Sequence, residues 1–358
     1  MNLATKDEHE YLREKLEMDP NIRIATFGFS NGNDPATYKD FDLSKIAVNF
    51  DNNSVLWGGV QCLNCKTISP SEAIKYDIPI VIYSCFYVEI SKQLDGYGIK
   101  KYYIAHLLKN EIDIDTRTQL DKNIVCIQNN LDKINIVRAL MCDTRSVEVF
   151  DSIIRCRKEV TQWGVFELMI NVFSQDQYFP GDIPEFVLSD KECFVDAGAY
   201  YGDTISAFLQ KTKEKYSHIY VFEPDNDVLS RLNDFCSPLK NVSLYNICIY
   251  SHKTNISMQN DEIFGNDVNL MQADSLDSIL DNKPVTFIKM DIEGSEKEAI
   301  QGASNIIKTQ RPKLAICIYH YMSDLWEIPL LLHEIVPEYK FYIRHHSYGF
   351  YETVLYAV

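Results

Sequence analysis

The chain has 358 residues, 46% hydrophobic and 24% charged, the balance of a soluble globular protein with length enough for two cores. Its 35 basic residues face 51 acidic ones, and a net charge of −16 with no basic block disfavours nucleic acid as the main partner. The longest apolar run, Ile78 to Val88, carries a proline and a serine and is far short of a membrane span. The start, Met1 to Glu10, shows no basic or apolar leader segment, so a cytoplasmic protein without membrane insertion is expected.

In chain order, residues 3–18 read as an amphipathic helix stopped by Asp19-Pro20. Strands follow at Ile22–Phe27 and Lys45–Phe50. Ser69-Pro70-Ser71-Glu72 has the pattern of a capping box and starts a helix. Ile78–Tyr83 is an apolar strand of the kind buried on both faces. A helix from Phe86 to Leu94 ends at Gly96-Tyr97-Gly98, and a strand resumes at Lys101–Ile104. This alternation predicts a Rossmann-like α/β domain over residues 1–130, of which 105–130 are a less regular transition. Helical spacing from Leu131 to Phe173 predicts connecting helices over residues 131–180.

The second domain, residues 181–358, repeats the alternation. Strands are expected at Phe194–Asp196, Ile219–Glu223, Val242–Ile249, Val285–Asp291 and Lys313–Tyr319. A second capping box at Ser295–Glu298 opens a helix, and a terminal hairpin of 340–344 and 353–358 lies at the sheet edge. Most of the ten cysteines sit in apolar runs, as Cys85, Cys126 and Cys317 do. Only Cys62 and Cys65 have ligand or redox spacing, and they lack the second pair a zinc site needs.

The chemistry concentrates in Phe194-Val-Asp-Ala-Gly-Ala-Tyr-Tyr-Gly-Asp203 and Ile219-Tyr-Val-Phe-Glu-Pro-Asp225: strand, glycine turn, helix, strand, carboxylate. Gly198 and Gly202 permit close backbone approach, and the helix starting at Asp203-Thr204 aims free N–H groups at a ligand. The G-x-G-x-x-G spacing of dinucleotide sites is missing. Tyr200 and Tyr201 crowd a diphosphate but leave room for a smaller carboxylate. Asp196 is placed to accept from an ammonium group. Glu223, twenty-one residues past Gly202, stands where an acidic residue meets ribose hydroxyls. A ligand with an amino-acid end, a ribose and an adenine fits these parts better than a dinucleotide.

These stretches, with Phe287-Ile-Lys-Met-Asp-Ile-Glu-Gly-Ser-Glu296, Ile318-Tyr-His320, Arg344-His-His-Ser347 and Glu352–Tyr356, resemble the FkbM family of S-adenosylmethionine (SAM)-dependent methyltransferases. The likeness runs in order from about Tyr178 to Val358, half the chain. It implies a class I methyltransferase sheet with a terminal antiparallel strand, SAM as cofactor, and methyl transfer to a hydroxyl of a sugar, glycan or nucleotide-sugar in polysaccharide biosynthesis. By position, Asp196, Gly198 and Gly202 would cradle the methionine part, Glu223 with Pro224 the ribose, and Asn246 to Cys248 the adenine. Asp291 and His320, at the ends of neighbouring strands, are the candidates for activating the acceptor. His320 is expected to be the general base because its intrinsic pKa suits neutral pH, and Lys289, Glu293, His345 and His346 follow. Lys289 has a second reading as the partner of a buried carboxylate. A divalent cation is compatible with Asp291 and a neighbouring carboxylate, but no tight D-x-x-D pair stands there and no metal is assigned.

The N-terminal domain looks like the small Rossmann-like domains that accompany polysaccharide-modifying enzymes. Gly28, Gly32 and Asp51 are its candidate phosphate turn and ribose acceptor, against a reading as a scaffold for homo-oligomers. Two other functions stay open: a non-catalytic SAM- or nucleotide-sugar-binding module, and an NAD-dependent sugar oxidoreductase, which the absent G-x-G-x-x-G disfavours.

Overall fold

The computed structural model describes residues 2–28, 43–53, 57–58, 65–84, 87–109, 114–159, 161–257 and 270–358. Contacts divide the chain into two units, Met1–Ile114 with Val160–Trp163, and Asp115–Glu159 with Gly164–Val358. The division falls at residue 114 rather than 130 because the helices after it bury Ile127, Ile134, Val137, Val149 and Phe150 in the second unit's core. Cys62 and Gly32 lie outside the described residues. Among the described residues no helix is long and apolar enough to cross a membrane.

In the first unit, α1 (Lys6–Met18) is held by a reciprocal cap in which Thr5 accepts from the Glu8 amide and Glu8 from the Thr5 amide. There follow β1 (Ile24–Phe27), β2 (Ile46–Phe50), β3 (Lys66–Ile68), β4 (Ile80–Ile82), α2 (Tyr87–Gly96), β5 (Tyr103–Ile104) and α3 (Ala105–Lys109). The five strands are parallel in the order β3-β2-β1-β4-β5. Every residue of β1 and β4 is buried, in keeping with the apolar run read at Ile78–Tyr83, and the one polar side chain of β1, Thr26, donates to Asn49 at 2.8 Å. The helix expected at Ser69 is a 3₁₀ turn, Pro70–Lys75, without a side-chain cap: the Ser69 hydroxyl meets that of Ser71 at 2.9 Å, and Glu72 pairs with Lys75.

The second unit contains α4 (Ile114–Asn129) from Asp115 on, α5 (Leu131–Leu140), α6 (Thr144–Cys156), α7 (Gln162–Val172) from Gly164 on, β6 (Cys193–Ala197), α8 (Asp203–Thr212), β7 (His218–Phe222) and α9 (Asn226–Cys236). β8 (Val242–Tyr245), β9 (Cys248–Ile249), β10 (Thr254–Ser257), β11 (Leu270–Asp274) and α10 (Leu276–Ile279) come next. The chain continues through β12 (Phe287–Met290), α11 (Glu296–Gly302), α12 (Ser304–Gln310), β13 (Lys313–Cys317), α13 (Asp324–Ile335), β14 (Phe341–His345) and β15 (Thr353–Ala357). The main sheet runs β14-β15-β13-β12-β6-β7-β8, and β15 alone runs against the direction of the other strands.

The terminal hairpin lies at the sheet edge as expected, with β15 paired to β13 and β14 outermost. One expectation changes here. The strand read over 242–249 breaks at Asn246 into β8, in the main sheet, and β9, in a small sheet of order β10-β11-β9. On one face of the main sheet Phe194 stacks between Phe208 and Phe287, at ring separations of 4.6 and 4.7 Å. The opposite face carries Val195, Ala197, Ile288 and Met290 into the larger core. Arg344, fully buried in β14, ties α6 to the loop before β6 through Asp143 and Asp182, at 2.7 Å to each.

Candidate active site

The C-terminal ends of β6, β7, β12 and β13 meet at one edge of the sheet, where open α/β folds bind ligands. After β6 the Gly198 and Ala199 amides donate to the Phe222 carbonyl at 3.0 and 3.1 Å. Gly198 has φ +78°, and a Cβ there would strike the Asp291 carbonyl, so only glycine lets the β6 and β12 exits lie this close. Gly202, φ +86°, abuts the Phe235 ring and precedes α8, whose N-terminus has no side-chain cap. Thr204 is buried, while Asp203 and Tyr200 are exposed.

Glu223, nearly buried, accepts from the Tyr200 amide at 2.8 Å and the Asp225 amide at 2.9 Å. Asn246 is exposed and reaches Asn226 at 2.7 Å. Pro224 is half-buried and Cys248 buried. Asp196, Gly198, Gly202, Glu223 and the start of α8 are thus gathered by two strand ends and one turn.

Asp196 differs from its expected role. It is fully buried, and the ammonium it meets is internal: Lys289, its direct neighbour across the β6–β12 pairing, lies 3.2 Å away. Lys289 also donates to the Gly198 carbonyl at 2.6 Å. Desolvation pushes the Asp196 carboxyl up to about 6 against the opposing pull of Lys289. Burial alone would lower the lysine, but the charges of Asp196 and Asp291 outweigh it and hold it protonated. Lys289 is closed to solvent and committed to these contacts, so the paired reading of this residue is the one its surroundings support, rather than proton transfer.

Asp291 follows β12. Its carboxylate accepts from Tyr178 at 2.7 Å and Tyr319 at 3.1 Å, and His320 Nε2 stands 3.6 Å from it. Burial first, then neighbouring charge that includes Asp291, raises both phenols, which therefore remain donors. His320 is surrounded: Glu296 lies 3.2 Å from Nδ1, and Glu293 3.5 Å from Nε2. Desolvation would lower the imidazole, but Glu293, Glu296 and Asp291 together push it up to about 10. The ring is therefore charged at neutral pH, which removes the ground on which it was read as a neutral general base.

His345 and His346 are engaged elsewhere. His345 meets Thr353 at 2.9 Å, and His346 meets the Ser174 carbonyl at 2.9 Å and Tyr356 at 3.0 Å. Burial pushes them down to about 3 and about 4. Sequence reasoning missed Tyr178, Tyr319 and the fully buried Glu296. Tyr319 and Glu296 stand inside the quoted motifs, but nothing in the sequence marks Tyr178, which is 113 residues from Asp291.

The sheet order, with one antiparallel strand beside the fifth parallel one, is that of a class I methyltransferase fold. Residues 196–350 match the model of the methyltransferase FkbM domain. The chain is similar in fold to the crystal structure of methyltransferase FkbM from Methylobacillus flagellatus KT, at 20% identity and TM-score 0.61, with 98% of each chain covered. Other similar structures are an rRNA methylase from Streptococcus thermophilus and Aeropyrum pernix fibrillarin with S-adenosyl-L-methionine. The first has 17% identity over 48% of this chain and 87% of that one, TM-score 0.32; the second has 13% identity over 48% and 69%, TM-score 0.32. No curated protein matches the sequence.

Proposed function

We propose that the protein is an O-methyltransferase that methylates a hydroxyl of a sugar, glycan or nucleotide-sugar. The residues present fit SAM. The uncapped N-terminus of α8 suits the methionine carboxylate, and Glu223 keeps acceptor capacity for ribose beyond its two backbone bonds. Asn246 and Cys248 flank the position for adenine. When bound, SAM supplies an electrophilic methyl group on a positively charged sulfur.

The observation that carries the reading is the Asp291 carboxylate, oriented by two tyrosine hydroxyls and faced by His320. A methyl transfer of this kind depends mainly on aligning the acceptor and excluding water. Asp291 holds the acceptor hydroxyl and takes its proton as the oxygen gains the methyl group. The charged His320 ring offsets negative charge developing on that oxygen. Tyr351, 67% exposed, stands edge-on to Tyr319 at 6.1 Å, and Tyr321 is 59% exposed, so aromatic faces suited to a sugar ring lie beside the carboxylate.

The experiment is transfer from deuteromethyl-SAM to a panel of nucleotide-sugars and glycans, read by mass spectrometry, with calorimetry for SAM and NAD. Label on a sugar oxygen, lost in Asp291→Asn by about 10²-fold or more while SAM affinity is kept, is the expected result. Label on nitrogen or carbon, full activity in Asp291→Asn, or binding of NAD but not SAM overturns the proposal.

The first unit supports a second, smaller reading. Gly28, φ +76°, ends β1, where the order β3-β2-β1-β4-β5 reverses direction, which suits a nucleotide-sugar.

A further inference from the structure

We infer that Asp291, Glu296 and His320 form a binding site for a divalent cation. Each offers one ligand atom, and the three atoms lie within 4.8 Å of one another. Proximity alone is weak ground, since carboxylates often cluster at strand ends. The stronger observation is what the buried atoms lack. Glu296 is fully buried, its Oε1 accepts from the Ile292 amide at 2.8 Å, and its Oε2 has no hydrogen-bond partner. Both ring nitrogens of His320 are likewise inaccessible and without a hydrogen-bond partner, although carboxylates lie 3.2 to 3.6 Å away.

Buried polar atoms in a folded protein are almost always satisfied, and leaving one bare costs about 1–3 kcal/mol. Here one oxygen of Glu296 and one ring nitrogen of His320, both without a hydrogen-bond partner, stand beside a third ligand group, Asp291. A cation held by Asp291, Glu296 and one His320 nitrogen would satisfy Glu296 Oε2 and that nitrogen together; it would displace the imidazole proton and supply positive charge among the carboxylates in its place.

The placement follows from the chain. Asp291 ends β12, Glu296 opens α11 after a tight turn at Glu293 and Gly294, both with positive φ, and His320 follows β13, the parallel neighbour of β12. The turn brings Glu296 back beside the strand end it has just left. Two carboxylates and one imidazole make a mixed hard and borderline set, which suits Mn²⁺ better than Ca²⁺, and three protein ligands leave positions open for an acceptor oxygen. A hydroxyl held there would be acidified and oriented. The cation's role rests on the proposed methyl transfer; its binding does not.

The test uses the full chain, stripped with chelator and titrated with Mn²⁺ in the absence of methyl donor and acceptor. Paramagnetic resonance is expected to show one saturable site, and spin-echo modulation to show one imidazole nitrogen coupled to the metal. Glu296→Gln and His320→Asn are each expected to weaken binding by about tenfold or more. Absence of a saturable site, absence of nitrogen coupling in the unaltered protein, or unchanged affinity in both variants overturns the inference. The nitrogen coupling needs no variant and decides the matter even if a substitution prevents folding. Mn²⁺ bound as described, with no methyl transfer to any hydroxyl, would refute the functional proposal and leave this one standing.

Discussion

Lys289 Nζ lies 3.2 Å from Asp196 Oδ1, both side chains sealed from solvent, on directly paired positions of β12 and β6. The pair sits beneath the glycine turn and reaches it through the Gly198 carbonyl. Removing one partner strands the other charge in the core. Lys289→Met is expected to cost about 3–5 kcal/mol of stability in urea unfolding. Adding Asp196→Leu should restore part of this, leaving a deficit of about 1–3 kcal/mol for the bare Gly198 carbonyl. A single Lys289→Met protein as stable as the parent would show that the pair is not closed as described.

Gly198→Ala places a methyl group on the Asp291 carbonyl and forces a left-handed φ on a non-glycine residue. The backbone conformation alone costs about 1–2 kcal/mol, and the clash adds to it. Thermal melting should fall clearly, and SAM binding with it. Gly349→Ala, where nothing lies within 4 Å, is the control expected to leave both unchanged.

Glu223→Gln keeps the size of the side chain but removes its charge. The Tyr200 and Asp225 amides retain one oxygen acceptor between them, and the new amide group would oppose the other donor. SAM affinity is expected to fall about tenfold or more by calorimetry, with little loss of melting temperature. Unaltered affinity would remove Glu223 from the cofactor site.

His345 gives a pH dependence whose direction is fixed by its burial. Its folded pKa is depressed to about 3, so the unfolded chain binds the proton more readily. Stability from this group is complete above the unfolded value near 6.5 and is lost progressively as pH falls toward the folded value. Between pH 6.5 and 5 the loss is about 2 kcal/mol, and His346, depressed to about 4, adds in the same direction. Urea midpoints measured across that interval should fall, and the fall should shrink in His345→Gln. Midpoints insensitive to pH would contradict the burial of both rings.

The turn from Phe194 to Asp203 was legible because its parts are local: an apolar run, two glycines and a helix start lie within ten residues. The same holds for the carboxylate that follows Val221-Phe222. What could not be read depends on pairing across long separations. Lys289 meets Asp196 only because β12 docks beside β6, and Tyr178 reaches Asp291 only once the loop before β6 folds over the sheet. The environment of His320 was hidden for the same reason: an intrinsic pKa describes an isolated imidazole, and three carboxylates brought round by a turn change it. The Ser69 capping pattern failed locally, since Glu72 found Lys75, and Ser295 opens α11 without a side-chain cap. The helix α4 lies over residues read as irregular, and its residues 121–129 are mostly exposed and so give little apolar periodicity.

The insertion of β15 between β13 and β14 sets an order of events for a chain emerging from the ribosome. β14 is made first but cannot dock on β13, because the slot between them belongs to residues not yet synthesised. Until Thr353–Ala357 appear, β13 lacks a neighbour on the side away from β12, Tyr356 cannot hold the Tyr178 amide, and Glu352 cannot meet Gln177. The nascent chain can therefore assemble its glycine turn well before it completes the Asp291 cluster, so cofactor affinity should be acquired earlier in synthesis than catalytic competence.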